Sequence, residues 1–269
     1  GSLQGGYPKI YGSSGCTSGG TVAGGSAIAI TGSDVYVCGS AYDNSTSTWY
    51  YVVAKNNSGG AGWSWVFTYN NSGPGQNEEH RGVDIKITGS GATAKIYSTG
   101  FVNSATGSDK DIYTVGLDVS GNTLSGWNGL TYNGSASLDD IGYALGIDAS
   151  GNVYVAGMAT ITGQAKNGFL AKYPSTGGTA TFTSLHDRGG AGNNKDAAWM
   201  DIEVISGTDP AVFVGGYTSD DGGDMDYAVR AYTSSGGNAS GWSGSPTVVY
   251  HNGSSGTEPA ATDQGKAIK

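Results

Sequence analysis

Residues 140–157, DIGYALGIDASGNVYVAG, decide the fold. The stretch reads as a strand (Tyr143–Ile147), a tight turn through Gly151 and Asn152, and a second strand ending on Gly157. The strand–glycine ending recurs as VYVCG at Gly39, IYSTG at Gly100 and VFVGG at Gly216, at intervals of 61, 57 and 59 residues. A second glycine follows each after 20 or 21 residues, at Gly59, Gly121, Gly177 and Gly236. Self-similarity at this period denotes a repeat architecture.

Each repeat holds four strand-like pieces separated by Gly, Ser, Asn and Asp. In the first they are Ser26–Ile30, Asp34–Gly39, Trp49–Lys55 and Trp63–Tyr69; in the second, Val83–Ile87, Ala94–Gly100, Asp111–Leu117 and Trp127–Tyr132. The third has Tyr143–Ile147, Asn152–Gly157, Gly168–Tyr173 and Thr181–Leu185; the fourth has Met200–Val204, Ala211–Gly216, Tyr227–Tyr232 and Thr247–Tyr250. No window repeats apolar residues at helical spacing, so almost no helix is expected. Four short strands per repeat predict an all-β, β-propeller-like array of four-stranded antiparallel blades, each blade covering a face of its neighbour. The domain is single, with repeats at roughly 24–78, 79–139, 140–195 and 196–262 and partial-blade strands at 7–12 and 263–269. Small residues in the first strands (Ala27, Ala29, Ala144, Gly146, Ala267) suit a crowded centre. Trp63, Trp65, Trp127 and Trp242 are expected on outer strands, where more volume needs filling.

Composition fits this reading. There are 49 glycines in 269 residues, far above the usual share of roughly 7%, with 17 tyrosines and 6 tryptophans to drive burial. The glycines are expected at turns. A net charge of −9 with 13 basic residues argues against nucleic-acid partners and anionic lipid. No apolar run is long enough for a membrane-spanning helix. The opening GSLQGGYPKI has no charged region followed by an apolar core, so a secretion signal is expected to have been removed or to lie in a longer chain.

At residues 140–157 the chain resembles the SBBP family of β-propeller repeats, through Asp140, Gly142, Ile147, Asp148, Gly151, Asn152, Tyr154, Val155 and Gly157. The second repeat keeps Glu79 and Gly100 but has Gly89–Gly91 at the turn; the fourth keeps Asp196 and Gly216 but has Thr208-Asp209-Pro210. The resemblance, over about four fifths of the chain, implies a propeller in a secreted or surface-attached microbial protein of adhesive or structural kind. It supplies no active site.

The acids opening the repeats, Glu79, Asp140, Asp196 and Asp263, are expected to bind backbone N–H groups two residues on, as Asx turns do. The loop Ser219–Asp226 gathers Asp220, Asp221, Asp224 and Asp226 beside glycines, an oxygen-rich set suited to calcium, although a solvated acidic turn is the plainer reading. No other cofactor is expected. Cys16 and Cys38 are expected to form a disulfide closing a loop of about twenty residues, worth roughly 3 kcal/mol. Sequons at Asn70, Asn133 and Asn252 fall just past outer strands and are the glycosylation candidates. His80, His186 and His251 form no catalytic or zinc spacing, and no catalytic residues are assigned.

The count of strands matters for function. Four full repeats leave a last-strand segment at 7–12 and a first-strand segment at 263–269. Three readings remain open: a piece of a longer chain, an irregularly closed ring, or strands completed by a second subunit. The expectation is a non-enzymatic extracellular or cell-surface structural protein that self-assembles, into filaments if the contacts do not close. The alternative is a propeller that binds carbohydrate or a surface partner.

Overall fold

The computed structural model describes residues 22–43, 47–56, 63–71, 79–104, 109–187, 195–207, 211–219, 225–239 and 248–251. The chain folds as four antiparallel sheets of four strands, each a meander in sequence order. Sheet one is β1 (Val22–Thr31), β2 (Asp34–Asp43), β3 (Thr48–Asn56) and β4 (Trp65–Tyr69). Sheet two is β5 (Arg81–Thr88), β6 (Lys95–Asn103), β7 (Lys110–Asp118) and β8 (Leu130–Tyr132). Sheet three is β9 (Ile141–Ile147), β10 (Val153–Thr160), β11 (Lys166–Tyr173) and β12 (Phe182–His186). Sheet four is β13 (Ala197–Val204), β14 (Val212–Ser219), β15 (Met225–Tyr232) and β16 (Val248–His251). All sixteen strands expected within the four repeats form, while the partial-blade strands expected at 7–12 and 263–269 lie outside the described residues. The helical content among the described residues is one 3-10 turn, Gly91–Thr93, and no helix there is long and apolar enough to cross a membrane.

The recurrent glycines that end each strand–Gly motif are not turn residues, as composition had suggested. Gly39, Gly100, Gly157 and Gly216 lie inside the second strand of each sheet, opposite Gly25, Gly82, Gly142 and Trp199. At each of these points the first strand carries a one-residue bulge, between Gly25 and Ala27, Gly82 and Asp84, Gly142 and Ala144, and Trp199 and Asp201. The bulge drives a backbone carbonyl into the space a side chain would fill. A Cβ on the glycine would collide with the carbonyl oxygen of Gly24, Arg81, Ile141 or Ala198 respectively. Bulges bend and twist a strand, so the repeat period marks a bend that needs glycine opposite it.

The chain divides into two compact units, Gly1–Thr131 and Tyr132–Lys269. In the first, Tyr36, Cys38, Tyr51 and Val53 of sheet one pack with Ile85, Ile96 and Val115 of sheet two. Tyr51 Oη shares a 2.6 Å hydrogen bond with Ser98 Oγ inside this core. In the second unit, Tyr154, Ala156 and Leu170 of sheet three pack with Ile202, Val214 and Trp199 of sheet four. Both cores follow one rule: the first strand of the later sheet lies on the face of the earlier one. Trp127 departs from the expected outer-strand position. It lies in the loop before β8, 1% exposed, with its ring edge-on to Tyr97 at 4.8 Å. Gly116 makes room, since a Cβ there would sit 2.9 Å from Trp127 Cβ.

Candidate functional site

Two of the acids that open the repeats, Asp140 and Asp196, hold backbone, but not as Asx turns. Asp140 is fully buried; its Oδ1 accepts from Thr160 N at 2.6 Å and its Oδ2 from Gly134 N. These partners lie 20 residues after and 6 before it, so the carboxylate ties the end of β10 to the loop preceding β9. In sheet two the same socket belongs to His80, not Glu79, because Gly82 and Gly142 occupy the same register. His80 Nδ1 accepts from Asn103 N at 3.0 Å, and Asn103 is the counterpart of Thr160. Glu79 instead accepts from its neighbour Arg81 at 2.7 Å. Asp196 Oδ1 accepts from Lys166 N at 3.3 Å. Asp263 lies outside the described residues.

Cys38 is a buried free cysteine, and the partner expected for it in a disulfide is not among the described residues. Its side chain points into the sheet one–sheet two core, with its Cβ where a side chain on Gly82 would go. Burial pushes the thiol up to about 12, which makes it an inert packing group. Cys16 lies outside the described residues. Of the acidic loop only Asp226 is described, and it is 1% exposed, not a solvated turn residue; Asp220, Asp221 and Asp224 lie outside. The Asn133 side chain is exposed and that of Asn70 half-buried; Asn252 is outside the described residues. No group of three or more His, Cys, Asp or Glu suited to a metal occurs among the described residues.

Two polar constellations that sequence reading missed bridge neighbouring sheets. In the second unit Lys172 Nζ lies 3.8 Å from Asp148 Oδ2, 5.1 Å from the Tyr154 ring centre, and donates to Ser234 O at 3.0 Å. Burial pushes the Asp148 carboxyl up, but bonds from Asn152, from Ser150 N–H and the Lys172 charge outweigh it and hold it below the usual carboxylate range. A groove of about 430 Å³ opens here, lined by Asn152, Lys172, Thr181, Phe182, Ser234 and Ser235. In the first unit Lys55 repeats the pattern, 2.9 Å from Asp34, 5.6 Å from the Tyr36 ring centre and 3.5 Å from Val119 O. The turn glycines explain the second recurrence in the sequence. Gly121 and Gly236, both at positive φ, lie against the rings of Trp65 and Phe182, where a Cβ would sit 2.8 and 2.5 Å from ring carbons. Because it recurs, the lysine bridge is a stitch between sheets. Its partners lie some sixty residues apart, so no local motif announced it.

Sheet one also has a second face. Ile28 pairs across it with Val37, Ala54 and Val66, and Ile30 with Val35. By register Ile28 is the counterpart of Ile85 and Ile202, which are 2% and 4% exposed beneath the preceding sheet. Ile28 is 61% exposed and Ile30 63%. Sheet four carries the opposite kind of face. Phe213, Tyr227 and Val229 are half-buried, where their sheet-one counterparts Tyr36, Tyr51 and Val53 are fully buried beneath the sheet that follows.

No family model matches the chain, and no curated protein does. Among solved structures it is similar to the native arabinanase of Bacillus subtilis, at 16% identity and a TM-score of 0.39, over 83% of this chain and 79% of that one. On this finding the expectation that the chain is not an enzyme is corrected and is not retained. The absence of a catalytic motif along one sequence is a weak exclusion, because groups from separate strands converge only in the fold.

Proposed function

We propose that this chain is a β-propeller-type repeat scaffold, extracellular or at a cell surface, that assembles with copies of itself. The first sheet of one copy packs beneath the fourth sheet of the next. The observation that carries this reading is the exposure of Ile28 and Ile30, set against the burial of Ile85 and Ile202 at the same register. The two end faces are of the kinds that already pack together inside each unit. Covering an isoleucine is worth about 1.5–3 kcal/mol, so two of them supply a substantial part of an interface. The contact joins unlike surfaces, and a heterologous contact that does not close propagates as a filament.

Size-exclusion chromatography with light scattering, and negative-stain microscopy, test this. The unaltered chain is expected to form concentration-dependent oligomers or filaments. Ile28→Asp with Ile30→Lys should leave a monomer whose melting temperature lies within a few degrees of the original. Leu138→Asp, at an exposed leucine elsewhere (56%), should leave assembly intact. A compact monomer at high concentration, or assembly unchanged in the double variant, would sink the proposal.

The groove beside Lys172 favours a second reading, carbohydrate binding. An aromatic edge among hydroxyl, amide and ammonium groups suits a sugar. Specific signals on a glycan array that disappear with Lys172→Met would support it.

A further inference from the structure

Two carboxylates at the mouth of the β6–β7 hairpin have no neutralising partner among the described residues. Asp109 and Asp111 stand two residues apart at the entry to β7, so alternation along the strand puts them on one face. Asp111 is 9% exposed. Asp109 Oδ2 and Asp111 Oδ1 are both cut off from solvent and accept no hydrogen bond from the described residues. The lysine between them, Lys110, holds its ammonium 4.9 Å from the Phe101 ring centre. Burial, with the Asp109 charge beside it, pushes the Asp111 carboxyl up to about 6. Other buried or half-buried acids here are compensated: Asp140 by two backbone N–H groups, Asp148 and Asp34 by lysines. Two like charges taken out of water without compensation are strongly unfavourable.

We propose that Asp109 and Asp111 bind a divalent cation, of the hard, oxygen-seeking kind typified by calcium. Their donors are all oxygen. Such an ion takes six to eight oxygens, so two carboxylates form the charged part of a shell completed by water and main-chain carbonyls. The placement is specific to alternate sheets. Tyr113 opposite Gly100 and Ala228 opposite Gly216 hold the same register, which places Asp226 where Asp111 stands, while Asp224 lies outside the described residues. The same positions are Thr48 and Tyr50 in sheet one and Ala165 and Asn167 in sheet three, with no acid at either. The Asp-x-Asp pair of sheet two therefore defines a site apart from the acidic loop of sheet four.

Calcium titration of the EDTA-stripped full chain, by calorimetry in metal-free buffer at pH 7.5, tests this. The unaltered chain is expected to bind calcium and to melt about 5 °C higher in millimolar calcium than in EDTA. Asp109→Asn with Asp111→Asn should remove an equivalent of bound calcium, while the stripped variant melts no lower than the stripped original. Asp224→Asn with Asp226→Asn should leave the sheet-two equivalent in place. If the stripped chain bound no calcium, or if the sheet-two variant kept the full stoichiometry, the site would not exist. The same conclusion would follow if the sheet-four variant lost all binding.

Discussion

Gly157→Ala is expected to abolish folding of the third sheet, at a cost above about 4 kcal/mol. The new Cβ would run into the carbonyl oxygen of Ile141 and lie 3.0 Å from its carbonyl carbon and 3.1 Å from Gly142 Cα. All three obstacles are backbone, so no side chain can swing aside. The bulge between Gly142 and Ala144 fixes that backbone, and Asp140 anchors it from one residue before β9. Gly100 and Gly216 face the same obstruction and should respond alike. The contrast is Gly163→Ala, at φ +76 with nothing within 4 Å, where only the conformational penalty applies, about 1–2 kcal/mol. Urea unfolding followed by circular dichroism separates the two cases. A Gly157→Ala protein with the midpoint of the original would mean that the bulged register is wrong.

Much of the fold was legible because strands announce themselves locally. Alternation and turn residues placed all sixteen, and even weak segments such as that around Leu130–Tyr132 proved to be paired. What was not legible depends on which residues meet across strands. The buried acceptor of sheet two is His80, not Glu79, because it stands two residues before the glycine paired with Gly100, as Asp140 stands two before the glycine paired with Gly157. Trp127 was placed in a strand because it precedes one, whereas the space left by Gly116 draws its ring inward from a loop. The site was harder still. Ser26–Ile30 reads as one more strand, and nothing in those five letters tells that Ile28 lacks the cover given to Ile85 and Ile202. That fact depends on which sheets pack together, which no local stretch of sequence records. Asp109 and Asp111 were passed over for a more crowded acidic loop, since burial, not the number of acids, makes them unusual.

Lowering the pH from 7 toward 4 is expected to destabilise the protein through His80, by about 2–3 kcal/mol in all. Desolvation lowers the folded-state value of this fully buried imidazole to about 4, from about 6.5 in the unfolded chain. The unfolded chain therefore takes up a proton that the folded chain refuses. The stability associated with neutral His80 is complete above about pH 6.5 and is lost progressively down to about pH 4, by up to about 1.4 kcal/mol per unit. The bond from Asn103 N to Nδ1 acts in the same direction as burial: a protonated ring has no lone pair there, so accepting that N–H and holding a second proton exclude each other. His80→Asn tests this, because an amide oxygen can accept from Asn103 N and does not titrate. Urea midpoints of the two proteins at pH 7, 5.5 and 4.5 give a difference in which the shared carboxylates cancel. The original should lose ground to the variant as the pH falls. Parallel curves would mean that His80 is not a neutral acceptor, and that the resemblance of its socket to that of Asp140 is one of position alone.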